Sequence, residues 1–292
     1  VIKKKSIECI SNPRRRIILA NGDKPRRGQQ PCSIINACSH APHNMAAPSQ
    51  RINHEPTFLL AATPWRESSL WLEMFSRRYG RVAMLARSAR KRQSELRGVL
   101  VPFVPVSASW YGAQELKTLH RAEWLGGWPQ PQGRALFSGL YANELVLKLT
   151  AREDPHPALY DALHSVMAAI ATEPNHVAAL RRFEWALLTA LGFAPDLQHD
   201  ERGLPVEAAQ TYWLRPEHPL LPLAEAAGLA AAEAAGVAVQ GSTVLQLAAG
   251  ALSGGDALQE ALKITRLLLD FRLPEGIKSR QILQQMQSFQ TA

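Results

Sequence analysis

Glu153, Asp154 and His156, in the run REDPHP, are the residues whose types and spacing come nearest to acid–base chemistry. Two carboxylates and an imidazole this close can pass a proton. The same residues also suit a polar turn between helices, with Asp154 and the prolines opening the second one, and that is the reading adopted here. Cys32, Cys38, His40 and His43 in CSIINACSHAPH offer metal donors, but Cys-x5-Cys and His-x2-His fall outside the spacings of structural zinc sites. No metal or other cofactor is expected. The chain carries no G-x-S-x-G elbow, phosphate loop, G-x-G-x-x-G turn or H-E-x-x-H pair, so catalysis is not the expectation.

A different chemistry fits the cations. The net charge is +8, but nine Lys or Arg against Glu8 and Asp23 in residues 1–50 hold most of it. Within the rest, residues 66–98 hold nine basic side chains against Glu67, Glu73 and Glu95. A basic segment in an otherwise balanced chain points to one anion-binding face. Each phosphate neutralised by such a face releases counterions, which makes binding salt-dependent. Trp71, Tyr79, Trp110 and Tyr111 are the nearby rings that can stack on bases, although strands use such rings more often as core. Nucleic acid is thus the expected ligand class. A nucleic-acid-processing enzyme using Glu153, Asp154 or His156 is the alternative.

Positioning these cations requires strands. FLLAATP is a first apolar run, and SSLWLEMF sets Leu70, Leu72 and Met74 on one face against Trp71 and Glu73 on the other. Tyr79 and Gly80 supply a turn into RVAMLAR, where Arg81 and Arg87 share a parity. VPFVPVSASWYG and ELKTLHRAEW complete five short strands, with a polar connection at 88–98. That pattern predicts a small closed barrel of the OB type, or an SH3-like one.

After Gly133 the period becomes helical. GRALFSGLYANELVLKLT and PHPALYDALHSVMAAIATE predict two helices. Asn175 predicts the cap of a third, with Leu180, Phe183, Leu187 and Leu191 on one face and Arg181 and Arg182 turned away. Residues 194–218 are expected to be an irregular connection; helices follow at 221–235, 243–252, 256–271 and from Lys278. The fold class is therefore α+β in two domains, an OB-type barrel at 51–128 followed by an all-α domain at 129–292. Residues 1–50 are expected to be a disordered basic tail, or residues set ahead of a start at Met45, which we favour. The Ala/Leu-rich 219–236 is broken by Pro222, Glu225, Gly228 and Glu233, so no membrane span is expected.

WRESSLWLEMFSRRYGRVAMLARSARK, LRGVLVPFVPVSASWYG and ELKTLHRAE, followed in order by GLYANELVLKL, REDPHPALYDAL, ALRRFEWALLTALGF and IKSRQIL, resemble the RecO family of bacterial recombination mediators. The resemblance covers roughly residues 55–285. It implies an N-terminal OB-fold and a helical domain, binding of single- and double-stranded DNA, and annealing of complementary strands. It also implies cooperation with RecR and single-strand DNA-binding protein to load RecA, in the cytoplasm and at the nucleoid during repair. Many members carry a four-cysteine zinc site in the helical domain. DLQHDERGLPVEAAQTYWLRPE has no cysteine, which resembles the zinc-free branch.

Carried over by position, Arg77, Arg78, Arg81, Arg87, Arg90, Lys91, Arg92 and Arg97 fall on the family's DNA-binding barrel. Single-strand binding protein ends in an acidic, aromatic-tipped tail, whose receptor needs an apolar pocket rimmed by cations. Arg266, Arg272, Lys278 and Arg280 beside Leu267, Leu268 and Phe271 are the expected receptor. Arg266 also has Asp270 four residues on, the spacing of a helix ion pair.

Overall fold

In a computed structural model the structure describes residues 51–226, 228 and 235–291. The expectations for residues 1–50, the basic tail, the start at Met45 and the Cys/His segment, lie outside the described residues.

Alternation of apolar side chains builds the barrel. β1 (Arg51–Trp65), β2 (Ser69–Ser76), β3 (Gly80–Ala86), β4 (Pro105–Tyr111) and β5 (Leu116–Trp124) close in the order β1-β2-β3-β5-β4. All pairings are antiparallel except β3 with β5. This is the expected five-stranded, OB-like barrel. β1 starts before the apolar run FLLAATP because Ile52 pairs with Trp110 and Glu55 with Ala108. The buried polar residues Glu55 and Thr57 hide that extension from a hydrophobicity pattern.

Leu59, Leu72, Met74, Met84, Val106 and Trp110 point inward and fill the barrel. Their neighbours one residue along must point outward. Phe58, Leu60 and Phe75 accordingly join a second core with Tyr141, Leu145 and Tyr160 of the helical domain. Phe58 meets Tyr160 at 5.4 Å between ring centroids, a tilted packing that aromatic pairs favour. A bulge between Leu59 and Ala61 interrupts the β1 ladder. There the buried Asn143 amide donates to the Leu59 carbonyl at 3.2 Å, tying the helical domain to the backbone of β1.

A short helix α1 (Leu96–Val99) ends the connection between β3 and β4. The helical domain opens with α2 (Arg134–Leu149), α3 (Pro157–Thr172) and α4 (Val177–Ala190). Pro157 occupies the first turn of α3, where its missing N–H costs no hydrogen bond. The expected cap of α4 is corrected by one residue: His176 is the N-cap, and Asn175 before it accepts from the Val177 N–H at 3.3 Å through Oδ1. One part of the α4 reading is corrected: Arg181 is not turned to solvent but buried, because Glu184 beside it is buried and pairs with it at 2.8 Å.

The connection expected to be irregular contains β6 (Thr211–Leu214). With β7 (Leu221–Pro222) and β8 (Val237–Gln240) it forms a sheet in the order β7-β6-β8, so strands are added to the expected all-α domain. Four residues, TYWL, show too little alternation to announce a strand, and the partners lie in other segments. Of the Ala-rich helix expected at 221–235, the described part holds β7 and the four-residue α5 (Leu223–Ala226). α6 (Gly241–Ala248), α7 (Gly255–Arg272) and α8 (Lys278–Thr291) follow. Glu144 of α2 accepts the Lys278 and Ser279 N–H groups at 2.8 Å each, capping α8 from a distant element.

Candidate nucleic-acid interface

The eight barrel cations separate into two groups. Arg77, Arg78 and Arg81 surround the β2–β3 hairpin, and each meets a carboxylate. Arg77 donates two bonds to Asp161 of α3 at 2.9 Å, and Arg78 Nε donates to the buried Glu55 at 2.7 Å. Arg81 bonds Glu73 at 3.0 Å and the Thr150 carbonyl at the end of α2 at 2.9 Å. Arg152 joins the same Glu73 and also Glu115. Burial by itself would raise the Glu73 pKa; hydrogen bonds from Arg152 and Trp71 and the charges of Arg152 and Arg81 outweigh it and hold Glu73 below its ordinary value. The Arg77 hydrogen bond holds Asp161 low as well.

Gly80 makes this seam possible. Its φ is +65°, and a Cβ there would lie 2.1 Å from the Asp154 carbonyl oxygen. The Glu153 N–H donates to the Arg81 carbonyl at 2.9 Å, so the REDPHP segment runs along the end of β3. This fixes the fate of the acid–base candidates. Glu153 pairs with Lys117 at 2.5 Å, while Asp154 faces His156 at 3.1 Å. The residues form two separate pairs on an interdomain turn. Among the described residues no group of three or more His, Cys, Asp or Glu is arranged to hold a metal ion.

At the opposite end of β3 the cations are free. Arg87, Lys91, Arg92 and Arg97 are exposed and have no side-chain partner among the described residues, and Arg66 in the β1–β2 turn is the same. The connection carrying them is a chain of turns in which Lys91, Ser94 and Arg97 N–H groups bond the Ser88, Lys91 and Ser94 carbonyls at 3.0, 3.0 and 3.2 Å. Ala89 is buried in the barrel and anchors the segment. Arg90 serves the same purpose: its N–H reaches the Ser68 carbonyl at 2.9 Å and its guanidinium the Arg66 and Glu67 carbonyls at 3.2 and 3.3 Å. Ser88, Lys91, Arg92, Gln93 and Ser94 line an open depression of about 350 Å³. Such fixed, unpaired cations can neutralise successive phosphates.

The aromatic candidates divide too. Trp110 is buried in the barrel core, with Tyr79 edge-on to it at 5.4 Å. Tyr111 lies outside, 6.4 Å from His120. Trp71 is half-buried on the outer face, where Trp65, absent from the sequence reading, lies 5.5 Å from it. The signal that could have found Trp65 was its place at a strand end beside Arg66.

In the helical domain a cavity of about 140 Å³ is lined by Phe137, Leu262 and Leu283, with Arg181, Arg266 and Arg280 among its polar lining. Arg266 and Arg280 thus line one cavity, and Asp270 pairs with Arg280 at 2.7 Å instead of with Arg266. Arg272 and Lys278 do not line this cavity. Arg272 stacks over Phe193 at 4.2 Å and pairs with Glu217 at 3.0 Å; Lys278 is exposed at the start of α8. Leu268 is buried in the core and Phe271 is exposed outside the pocket. Arg181 was missed, and its Nε and Nη1 have no partner although the residue is only 6% exposed. Below it Glu184 accepts from Tyr141 Oη at 2.8 Å and Thr265 Oγ1 at 2.5 Å. Burial first, and then the Glu184 charge, push the Tyr141 pKa up and keep its proton in place.

The fold class is thus a closed OB-like barrel joined to a helical domain, with exposed cations at one end of the barrel and a second group of arginines around the helical-domain cavity. Comparison with known proteins narrows the class. Residues 52–128 match the family description "Recombination protein O N terminal", and residues 130–281 match "Recombination protein O C terminal". A protein of Neisseria gonorrhoeae named DNA repair protein RecO is 65% identical over 239 residues, 82% of this chain and 96% of that protein. Proteins of the same name from Neisseria meningitidis serogroup B and Aromatoleum aromaticum are 63% and 40% identical, each over 82% of this chain and 90% and 98% of their own lengths. The chain belongs to the RecO family.

Proposed function

We propose that this chain is a non-catalytic DNA-binding mediator of recombination: it binds single- and double-stranded DNA at the open end of the barrel and anneals complementary strands. Family membership supports the broader statement, a role in DNA repair. The observation that carries the finer one is the set of unpaired cations Arg87, Lys91, Arg92 and Arg97 on an ordered connection of an OB-like barrel. Annealing requires neutralisation of two phosphate backbones, which binding energy alone supplies.

The partners in this reading are RecR, single-strand DNA-binding protein and, through them, RecA. The acidic tail of the single-strand binding protein would enter the helical-domain pocket, its aromatic tip against Phe137, Leu262 and Leu283 and its carboxylates toward Arg181, Arg266 and Arg280. Two guanidinium nitrogens of Arg181 without partners favour an anion there. Work in the cytoplasm is part of the same proposal. Among the described residues no helix is long and apolar enough to cross a membrane.

The decisive experiment is fluorescence-monitored annealing of complementary oligonucleotides, with and without single-strand binding protein. Faster annealing that survives coating of the strands supports the reading, and annealing at the protein-free rate rejects it. Arg266→Ala should abolish relief of the coated-strand block while leaving annealing of naked strands intact. Metal-dependent strand cleavage lost on Glu153→Gln would replace the whole reading with the enzymatic one.

A further inference from the structure

Among the described residues the outer face of the barrel is only partly covered. Phe75, Glu73 and Arg81 lie under the helical domain or at its seam, where Arg81 reaches the Thr150 carbonyl and Arg152 reaches Glu73. Beyond them, toward the β1–β2 turn, the same face continues into the open. Trp65 is paired directly with Ser69, and Trp71 follows Ser69 by two residues on the same side of β2. Trp71 in turn pairs with Leu85 of β3, and Arg87 follows Leu85 by two. Register alone therefore aligns Trp65, Trp71, Leu85 and Arg87 on one surface.

Exposure and orientation make the two indoles unusual. Trp65 is 40% exposed, its centroid 5.5 Å from that of Trp71 with the rings tilted by 52°. Trp71 is held in place: its Nε1–H donates to Glu73 at 3.1 Å, and the Arg152 guanidinium lies 5.9 Å from its ring centroid. An indole fixed by a buried carboxylate while its neighbour stays open to solvent loses little entropy on gaining a stacking partner. The unpaired Arg66 and Arg87 flank the pair, so an apolar planar ligand here arrives next to cations. Planar faces alternating with negative charges describe a single-stranded nucleic acid; in a duplex the base faces are already stacked on each other.

Resting on the DNA-binding reading above, we propose that Trp65 and Trp71 form a base-stacking platform that makes the open end of this barrel selective for single strands. The backbone cations bind either form of DNA, and the indole pair adds affinity only for unstacked bases.

The test is titration of the full chain with oligothymidylate, with an abasic oligomer of equal length and with duplex DNA, monitored by tryptophan fluorescence and by anisotropy. Trp65→Ala and Trp71→Ala should each weaken oligothymidylate binding about ten-fold. Duplex and abasic affinities should change less than two-fold, and the salt slope should stay the same, because every cation that meets a phosphate is still in place. Trp65→Phe should recover most of the affinity. Trp124→Ala, which removes an indole 62% exposed elsewhere on the barrel, should have no effect. Equal weakening for oligothymidylate and duplex, or none for either, would overturn the platform while leaving DNA binding in place. Wild-type chain that binds none of the three ligands would overturn both. Trp71→Leu keeps apolar packing on the outer face but has no ring to stack: oligothymidylate binding weakened as in Trp71→Ala supports the platform, and full binding by the leucine variant would overturn it.

Discussion

At the β2–β3 hairpin Arg77, Arg78 and Arg81 face Asp161, Glu55 and Glu73; at the other end of β3 Arg87, Lys91, Arg92 and Arg97 face solvent. Both groups belong to the same basic stretch, and Arg81 and Arg87 even share a parity, Arg87 lying one residue past the end of β3. The difference comes from what the rest of the chain brings to each end. α3 contributes Asp161, and the chain after α2 contributes Arg152 and the Thr150 carbonyl; among the described residues no carboxylate pairs with Arg87, Lys91, Arg92 or Arg97 at the open end. One end uses its charge on carboxylates of the barrel and of the helical domain, and the other leaves its charge exposed.

Removing Arg81 should break this comparison most sharply. Its side chain and that of Glu73 are both largely buried, so Arg81→Ala takes one of two guanidinium partners from Glu73, leaves Arg152 and Trp71 in place, and should cost about 1.5–3 kcal/mol in urea unfolding. DNA affinity of the molecules that remain folded should be unchanged. A urea midpoint equal to that of the wild type would remove the distinction between the two ends.

The reverse experiment is replacement of Arg87, Lys91, Arg92 and Arg97 by alanine. Single-strand affinity should fall steeply at low salt, and the slope of log K against log salt should flatten by about 3, since each phosphate left without its cation removes about 0.7. The urea midpoint should not move. A slope that stays the same would assign DNA binding to another surface.

Acid should act on the seam, and also on Glu144 at the start of α8 and on Asp196, which contacts with Gln198 and His199 hold low. Glu73, Asp161 and Glu144 are all held below their ordinary carboxylate values in the folded chain. Their contribution is therefore fully present above those ordinary values and is lost as pH falls through the lower folded ones. Thermal melts should be flat from neutral pH down to about pH 5 and drop below about pH 4. Arg81→Ala should drop less, since part of the linkage is already gone. The smallest effect is expected for Arg77→Ala: its pair with Asp161 is exposed to solvent, and melting at neutral pH should scarcely change.

Much of the fold was legible because it rests on short-range patterns. Leu70, Leu72 and Met74 alternate, Pro157 opens a helix, and Asn175 marks the start of α4 to within one residue of its cap. The elements that escaped lacked such patterns. β6 is four residues long, and the front of β1 is polar because Glu55 and Thr57 are buried with partners far along the chain. The candidate site was half legible for a related reason. Composition located the cations, yet it could not separate Arg81 from Arg87, and helical periodicity sent Arg181 to the surface when Glu184, Tyr141 and Thr265 hold its surroundings in the core.

The sequence by itself determined that there is a barrel followed by helices, that positive charge concentrates in residues 66–98, and that thiol chemistry is absent from residues 51–292. Those properties are local or additive. Which cations stay free, that Trp65 and Trp71 share a surface, and that REDPHP closes a seam around Gly80 were decided only by tertiary structure. Each depends on a carboxylate, a ring or a carbonyl brought from another part of the chain, and a charge is neutralised or left open by its neighbours in space.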